Sequence, residues 1–192
     1  GAVNTVSLQP DGSWLGDNTD GAGLVLDLRR LGVALAGARI LLLGAGGAAR
    51  GAIAPLLAEQ PSLLVIANRT AAKAEELTRR FEHLGNATFA PLEQPGIGFD
   101  IIINSTSASL QGEALTLDAA VCHPGTRVYD MMYGREETVF LAWARERGLE
   151  HRYDGLGMLV GQAAESFYLW RGVRPDIMPV LTSLRAKLET AT

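Results

Sequence analysis

Residues 39–50 read Arg-Ile-Leu-Leu-Leu-Gly-Ala-Gly-Gly-Ala-Ala-Arg, and this stretch decides the fold. The apolar run 40–43 is typical of a strand buried on both faces of a parallel sheet. Gly44, Gly46 and Ala49 then fit the spacing G-x-G-x-x-G/A, which combines a tight turn, close approach of a phosphate and close helix packing. A helix is predicted over 48–58, and its N-terminus favours an anion. The alternative is a tight strand-to-helix turn that binds nothing.

The end of the next strand indicates which dinucleotide this turn would bind. Residues 63–67 form another apolar run, and Asn68, Arg69 and Thr70 follow it. An NAD site usually has an acidic residue here for the ribose 2′-hydroxyl, whereas an arginine accommodates a 2′-phosphate. Arg69 can donate two parallel hydrogen bonds to a phosphate, and Lys73 follows one helical turn later. Thr70 is predicted to cap the helix that begins at 71. The pattern favours NADP over NAD, and the alternative is a solvated Arg69 and Lys73 at a helix start.

Composition narrows the class of protein. The 192 residues are 47% hydrophobic and 20% charged, which predicts a packed soluble core, and the net charge of −4 argues against nucleic-acid binding. The single cysteine, Cys122, excludes an intramolecular disulfide and fits a reducing cytoplasm, the expected location. His83, His123 and His151 show no metal-ligand spacing, so no metal is expected. No apolar run approaches the ~20 residues of a membrane span.

Strand and helix patterns alternate from residue 39 onward. Strands are predicted at 40–43, 63–67, 87–91, 99–104, 127–131 and 150–153, and helices at 48–58, 71–84, 138–147, 157–170 and 176–189. Before them, 3–8 and 14–16 predict two strand arms, and a helix follows from Asp20. The alternation predicts an α/β, Rossmann-like, doubly wound parallel sheet of strand order 3-2-1-4-5-6. Ligands of such sheets lie beyond the carboxyl ends of the strands, so we expect one shared site at 44–47, 68–70, 104–109, 131–133 and 154–157.

Four polar residues are candidates for contact with a substrate. Asp20 begins a helix, which suits a helix cap and equally a carboxylate kept ionised beside a substrate hydroxyl. Asn4 can donate to and accept from hydroxyl groups, or it is a turn residue. Tyr133 and Gln162 are polar groups in apolar surroundings, and for Gln162 the alternative is a glutamine satisfied within the core.

Seven motifs together resemble one family. They are 1–5 (Gly-Ala-Val-Asn-Thr), 16–21 (Gly-Asp-Asn-Thr-Asp-Gly), 44–50, 68–70, 103–107 (Ile-Asn-Ser-Thr-Ser), 129–133 (Tyr-Asp-Met-Met-Tyr) and 155–164 (Gly-Leu-Gly-Met-Leu-Val-Gly-Gln-Ala-Ala). In this combination and order the chain resembles the shikimate dehydrogenases, NADP-dependent enzymes of aromatic amino-acid biosynthesis. The resemblance implies hydride transfer between the nicotinamide and a hydroxyl-bearing ring carbon, which interconverts shikimate and 3-dehydroshikimate.

The resemblance also implies roles for individual residues. The implied substrate contacts are Asn4, Asp20, Tyr133 and Gln162, with Asp20 also catalytic because it would position a lysine that transfers the proton. The implied cofactor contacts are Gly44, Ala45, Gly46, Gly47, Ala48, Asn68, Arg69, Thr70, Lys73, Met131 and Gly155. A small-molecule substrate is the expected partner, with no nucleic acid and no membrane, and both monomer and homodimer stay open.

The chain departs from the family pattern in its lysines. The family's catalytic lysine and substrate-binding serine pair lie upstream of the segment that matches residues 1–5, and Lys73 and Lys187, the two lysines here, match neither position. We therefore expect residues 1–19 to be a remnant of the substrate domain and 20–192 to be an NADP-binding domain with little or no turnover by itself. A non-catalytic, NADP-responsive module and a quinate-type preference stay open. Glutamyl-tRNA reductases share the glycine turn and the Asn-Arg-Thr run but lack the motifs at 18–21 and 155–160.

Overall fold

The computed structural model describes residues 2–107 and 117–190, so Gly1 of the first motif and Ser109 of the predicted site lie outside the described residues. The strands are β1 (Thr5–Leu8), β2 (Trp14–Asp17), β3 (Arg39–Leu43), β4 (Leu63–Asn68), β5 (Ala87–Pro91), β6 (Ile101–Asn104), β7 (Arg127–Asp130) and β8 (Arg152–Tyr153). The helices are α1 (Asp20–Arg30), α2 (Gly47–Ala58), α3 (Ala71–Phe81), α4 (Val139–Glu146), α5 (Leu156–Arg171) and α6 (Met178–Thr190).

Six of the strands form one parallel sheet in the order β5-β4-β3-β6-β7-β8. Numbered from β3, this order is 3-2-1-4-5-6, so the predicted doubly wound topology is confirmed. Side chains of the central strand β3 alternate between two cores: Ile40 and Leu42 pack with α1 and α2, and Leu41 and Leu43 pack with α4. All four are fully buried, as the unbroken apolar run predicts.

Element ends differ from the sequence prediction by a few residues. The helix predicted over 71–84 ends at Phe81 and continues as a 3₁₀ turn, Glu82–Leu84. The strand predicted from 99 begins at Ile101, because the backbone N–H of Phe99 donates to the carbonyl of Val121 rather than to a neighbouring strand. Local apolar patterns indicate which segments form elements, whereas hydrogen bonds to distant residues set their ends.

The remaining strands, β1 and β2, form a separate antiparallel hairpin that packs on α5. Trp170 Nε1 donates to the carbonyl of Val6 at 3.0 Å, and the hydroxyls of Thr5 and Ser166 lie 2.6 Å apart. Helices α1 and α5 cross with their backbones in contact, since a Cβ atom on Gly23 would lie 2.4 Å from the Gln162 nitrogen. This crossing brings the hairpin, the start of α1 and the middle of α5 together.

Candidate functional site

The glycine turn after β3 has the geometry that an anion site requires. Gly44 has a φ of +107°, and a Cβ atom there would lie 2.7 Å from Ser105 Oγ, so a larger residue would be strained and would clash. Gly46 and Gly47 are exposed, and nothing lies within 4 Å of the Cβ position of either. No side chain caps α2, so its first N–H groups are available to a ligand.

The packing of this turn also agrees with the sequence. Ala49 is fully buried against the sheet, as the third small position of the motif predicts. Helix α2 begins at Gly47 rather than at Ala48. Ala45 and Ala48 are half-buried beside the core, so the stretch from Gly44 to Ala48 forms the rim of one open turn.

Arg69 and Lys73 lie at the start of α3 as exposed cations. Neither forms an ion pair within residues 2–107 and 117–190. The nearest acids of the helix are engaged elsewhere, because Glu75 pairs with Arg79 and Glu76 pairs with Arg80 one turn further along. The amino end of α3 is therefore left with two uncompensated positive charges, an arrangement that the helix dipole disfavours without an anion.

The predicted cap position of Thr70 at the start of α3 is confirmed, but the side-chain hydrogen bond expected of a cap is not formed. The backbone carbonyl of Thr70 is used instead, because Asn68 Nδ2 and the Lys73 N–H both donate to it at 3.0 Å. These bonds order the loop from Asn68 to Lys73 and leave the Thr70 hydroxyl exposed beside Arg69.

The buried side chains of Asn104 and Asp130 order the loops after β6 and β7. The Asp130 carboxylate, with no exposed surface, accepts hydrogen bonds from Asn104 Nδ2 (3.0 Å), the Met132 N–H (3.0 Å) and Thr138 Oγ1 (2.6 Å). Asn104 Oδ1 in turn accepts from the Thr106 N–H at 3.0 Å. Because each of these bonds ties a loop to a strand end, both loops are ordered at the carboxyl edge of the sheet.

Met131 and Gly155 form a packed wall at the same edge. The Met131 side chain is buried, and a Cβ atom on Gly155 would lie only 2.1 Å from the Met131 carbonyl oxygen. The loop after β8 therefore packs directly on the backbone of the loop after β7. The contact of these two residues with a cofactor stays a prediction.

Three of the four predicted substrate residues lie together. Asn4 Nδ2 donates to Asp20 Oδ1 at 2.7 Å and to Gln162 Oε1 at 3.3 Å, and Gln162 Nε2 donates to the Leu159 carbonyl. The reading of Asp20 as a helix cap is wrong: Thr19 is the N-cap residue, and Asp20 is the first helical residue. The Asp20 carboxylate is consequently free to accept from Asn4.

Three buried hydroxyls beneath this cluster were not predicted from the sequence. Asn4 Oδ1 accepts from the Thr19 N–H and from Thr5 Oγ1, both at 2.9 Å. Ser166 Oγ lies 2.6 Å from Thr5 Oγ1 and 3.0 Å from Thr19 Oγ1. Because a backbone N–H can only donate, Asn4 must direct its oxygen inward and its nitrogen toward Asp20. We call Thr5, Thr19 and Ser166 the hydroxyl cluster.

Tyr133 differs from its predicted environment. It lies on the loop after β7 with 39% of its surface exposed, rather than in apolar surroundings. The loop turns away from the apolar core beyond Met131, and no hydrogen bond joins Tyr133 to Asn4, Asp20 or Gln162. A substrate contact by Tyr133 stays a prediction.

Cys122 does not have the surroundings of a nucleophile. Burial raises the pKa of its thiol, which disfavours the reactive thiolate. Within the described ranges, no group of three or more His, Cys, Asp or Glu side chains is arranged to bind a metal ion. None of the helices described is long and apolar enough to cross a membrane.

A doubly wound sheet with an open glycine turn and uncompensated cations beyond the second strand defines a dinucleotide-binding protein. A family model described as "Shikimate / quinate 5-dehydrogenase" matches residues 27–112, and one described as "Shikimate 5'-dehydrogenase C-terminal domain" matches residues 155–185. The chain belongs to the shikimate dehydrogenase family. It is 61% identical, over 99% of its length, to the shikimate dehydrogenase (NADP(+)) of Aeromonas salmonicida, and it covers 70% of that protein.

Solved structures give the same relationship. The Ael1 enzyme from Pseudomonas putida superposes with a TM-score of 0.88 at 45% identity, over 95% of this chain and 68% of that one. The shikimate 5-dehydrogenase from Thermus thermophilus, solved in complex with NADP(H) and shikimate, superposes with a TM-score of 0.82 at 33% identity. That match covers 98% of this chain and 69% of the Thermus chain.

Proposed function

We propose that this chain is the NADP-binding part of an oxidoreductase that interconverts shikimate and 3-dehydroshikimate. The observation that carries the proposal is the pairing of two sites at the starts of two packed helices, since a Cβ atom on Gly21 of α1 would lie 2.2 Å from the Gly51 carbonyl oxygen of α2. One is an open glycine turn beside the uncompensated Arg69 and Lys73, and the other is the ordered cluster of Asn4, Asp20 and Gln162. The Aeromonas relative is named for NADP(+) and shikimate, and the Thermus structure contains both ligands.

The residues of the glycine turn and of the start of α3 fit NADP in size and charge. The N–H groups of Gly47 and Ala48 would receive the pyrophosphate at the end of α2. Arg69 and Lys73, with the Thr70 hydroxyl, would receive the 2′-phosphate, and Asn68 orders their loop. When bound, the nicotinamide supplies the acceptor or donor of the hydride, and the Met131–Gly155 wall would flank it.

The polar cluster has groups available for substrate hydroxyls. Both Nδ2 hydrogens of Asn4 are used, by Asp20 and by Gln162. Asp20 Oδ2 and the second Nε2 hydrogen of Gln162 have no partner within the described part of the chain. We propose that these two groups receive the hydroxyls of the substrate and that Asp20 orients the proton-transferring residue. Tyr133 would contact the substrate from the loop after β7.

We further propose that this chain turns over substrate slowly or not at all by itself. Its two lysines, Lys73 and Lys187, are exposed on α3 and α6, and neither contacts Asp20. Residues 1–19 would belong to a substrate domain and 20–192 to the NADP-binding domain. The hairpin supports this division, since it forms its own sheet and leaves Leu8 and Trp14 largely exposed.

Calorimetric titration with NADP and NAD tests the cofactor assignment. We expect tighter binding of NADP, and we expect Arg69→Ala to weaken NADP by about 1.5–3 kcal/mol, or roughly 10- to 150-fold, because a charged hydrogen-bonded pair is lost. Binding of NAD should change little. Arg80→Ala, an exposed arginine on the same helix, is the matched control. Equal losses for both dinucleotides would show that Arg69 does not bind the 2′-phosphate.

Turnover is measured in the same preparations with shikimate and with quinate. Slow or absent oxidation together with tight NADP binding is the expected result. Oxidation at rates typical of complete dehydrogenases would contradict the proposed dependence on a further proton-transferring residue. NADP binding that an unrelated partner protein modulates would instead favour a non-catalytic, NADP-responsive module.

A further inference from the structure

Arg50, the last residue of the glycine-turn motif, carries an unexplained polar group. Its side chain is partly buried, and its Nε atom has no contact with solvent and no hydrogen-bond partner within the described residues. An unpaired buried donor is destabilising, and more so when it is charged. A guanidinium in this state at the start of a helix therefore calls for an explanation.

The position of Arg50 on α2 places it over the glycine turn. Gly46 and Gly47 lie one turn before it on the same face, where its backbone N–H bonds the Gly46 carbonyl. Helical side chains lean toward the N-terminus, so a long side chain at 50 extends over that first turn. The first turn of α2 contains no acidic residue that could balance the charge.

The same helix face points toward α3. Leu57 lies two turns beyond Arg50 on this face, and it packs within 3.3 Å of the Cβ position of Gly85, which follows α3. Helices α2 and α3 follow the parallel strands β3 and β4, so their amino ends lie at the same edge of the sheet, and Arg50 lies on the side of the glycine turn that faces α3. The first acids of α3, Glu75 and Glu76, are engaged with other arginines.

We propose that Arg50 binds the pyrophosphate of the dinucleotide, while Arg69 and Lys73 bind the 2′-phosphate. Two phosphate groups thus have separate cations, and a guanidinium is suited to bridging two phosphate oxygens with parallel hydrogen bonds. This inference depends on the proposed cofactor, and it adds a residue to the contacts that the glycine turn supplies. Because NADP and NAD share the pyrophosphate, Arg50 would contribute equally to both.

Binding of NADP, NAD and adenosine 2′-monophosphate to three proteins tests the inference: the unchanged chain, Arg50→Met and Arg69→Ala. Arg50→Met retains the packing of the aliphatic stem but removes the charge. We expect it to weaken NADP and NAD by the same factor, about tenfold. It should leave adenosine 2′-monophosphate, which has no pyrophosphate, unchanged. Arg69→Ala should show the reverse pattern, with losses for NADP and the monophosphate only.

A second variant and a control keep the test decisive. Arg50→Lys keeps the charge without the planar fork, so it should also weaken both dinucleotides equally, by a smaller factor. Arg50→Lys replaces Arg50→Met in this test if Arg50→Met unfolds below the temperature of the measurement. Arg145→Met, at an exposed arginine of α4 paired with Glu137, should change nothing.

Unchanged binding of both dinucleotides in the Arg50 variants, or a loss confined to NADP, would overturn the inference. In either case NADP binding by the unchanged chain would still support the proposed function. Failure of the unchanged chain to bind either dinucleotide would overturn the proposed function and the inference together.

Discussion

At the scale of single residues, the orientation of Asn4 depends on residues that never face the site. The hydroxyl cluster of Thr5, Thr19 and Ser166 is almost fully buried, and it lies behind the amide that contacts Asp20 and Gln162. Buried hydroxyls are stable only when each finds a partner, so the three constrain one another. The hydrogen bonds among Asn4, Asp20 and Gln162 are therefore fixed by the protein itself before any substrate binds.

Removal of the Ser166 hydroxyl tests this dependence. We expect Ser166→Ala to lower the free energy of unfolding by about 1–2 kcal/mol, since Thr5 and Thr19 lose a shared partner. It should also shift the Asn4 side-chain amide resonances in ¹H–¹⁵N spectra. A loss of stability without any change in the orientation of Asn4 would leave these resonances in place. Ser13→Ala, on the exposed hairpin turn, is the control. Unmoved Asn4 resonances would contradict the positioning role.

A second residue-scale prediction concerns pH. Tyr129 donates to Asp27 Oδ2 at 2.7 Å, and Asp27, which is 1% exposed, also accepts from Arg30 Nε at 2.8 Å. Burial, reinforced by the Asp27 charge, raises the pKa of the Tyr129 hydroxyl well above its ordinary value. The unfolded chain releases this proton at about pH 10. The folded chain retains it, so the free energy of unfolding falls as pH rises above about 10.

Urea denaturation between about pH 8 and pH 11 measures this effect. Tyr129→Phe should reduce the fall at high pH, because the group that titrates is gone. At neutral pH it should cost about 1–3 kcal/mol, since a buried carboxylate loses a donor. The same decline in both proteins would assign the pH dependence to other groups.

At the scale of elements, helix α6 is attached mainly through one ion pair and a small apolar contact. Arg185 donates to both oxygens of Asp154 at 2.8 and 2.6 Å, and Asp154 Oδ1 also accepts from the Leu156 N–H at the start of α5. Leu181 is the one buried side chain among the described residues of α6. The attachment of α6 therefore depends on a carboxylate that also orders the start of α5.

Loss of this ion pair should loosen α6 selectively. We expect Arg185→Met to speed protease cleavage within 178–190 several-fold, with a change of about 1 kcal/mol or less in global stability, because the pair is partly exposed. Lys187→Met, two residues further along the same helix, is the matched control. Equal cleavage rates in the two variants would show that apolar packing alone holds α6.

The elements also show what the sequence could predict. The sheet order and the glycine turn followed from local patterns, because apolar runs and glycine spacing act over a few residues. The hydroxyl cluster did not follow, since Ser166 lies far along the chain from Thr5 and meets it only where α1 and α5 cross. Asp20 was misassigned as a cap because either of two adjacent residues could take that position, whereas Thr70 is the N-cap residue but its hydroxyl makes no capping hydrogen bond.

At the scale of the whole molecule, the central sheet and the hairpin differ in burial. The side chains of β3 and β6 are almost all inaccessible, whereas every residue of β2 is exposed. A two-stranded hairpin alone is only marginally stable in water, so its persistence here depends on α5. Local stability is consequently uneven along the chain. The match to one family nevertheless extends over nearly its full length.

Amide hydrogen exchange measures that difference. We expect amides of β3, β4 and β6 to exchange only through global unfolding, and those of β1 and β2 to exchange at least tenfold faster through local opening. Addition of NADP should slow exchange at Gly46, Gly47 and Ala48. Protection of the hairpin equal to that of β3 would contradict this picture.

Two glycines of this chain differ in why a side chain would be harmful there. At Gly23 a methyl group would meet the backbone of α5, so a screen for folded, protease-resistant variants should already reject alanine. At Gly46 the φ of −85° suits any residue and the neighbouring space is open, so the same screen should accept alanine. Only a screen for dinucleotide binding should reject it. The same residue type is thus required by folding at one position and by the ligand at the other.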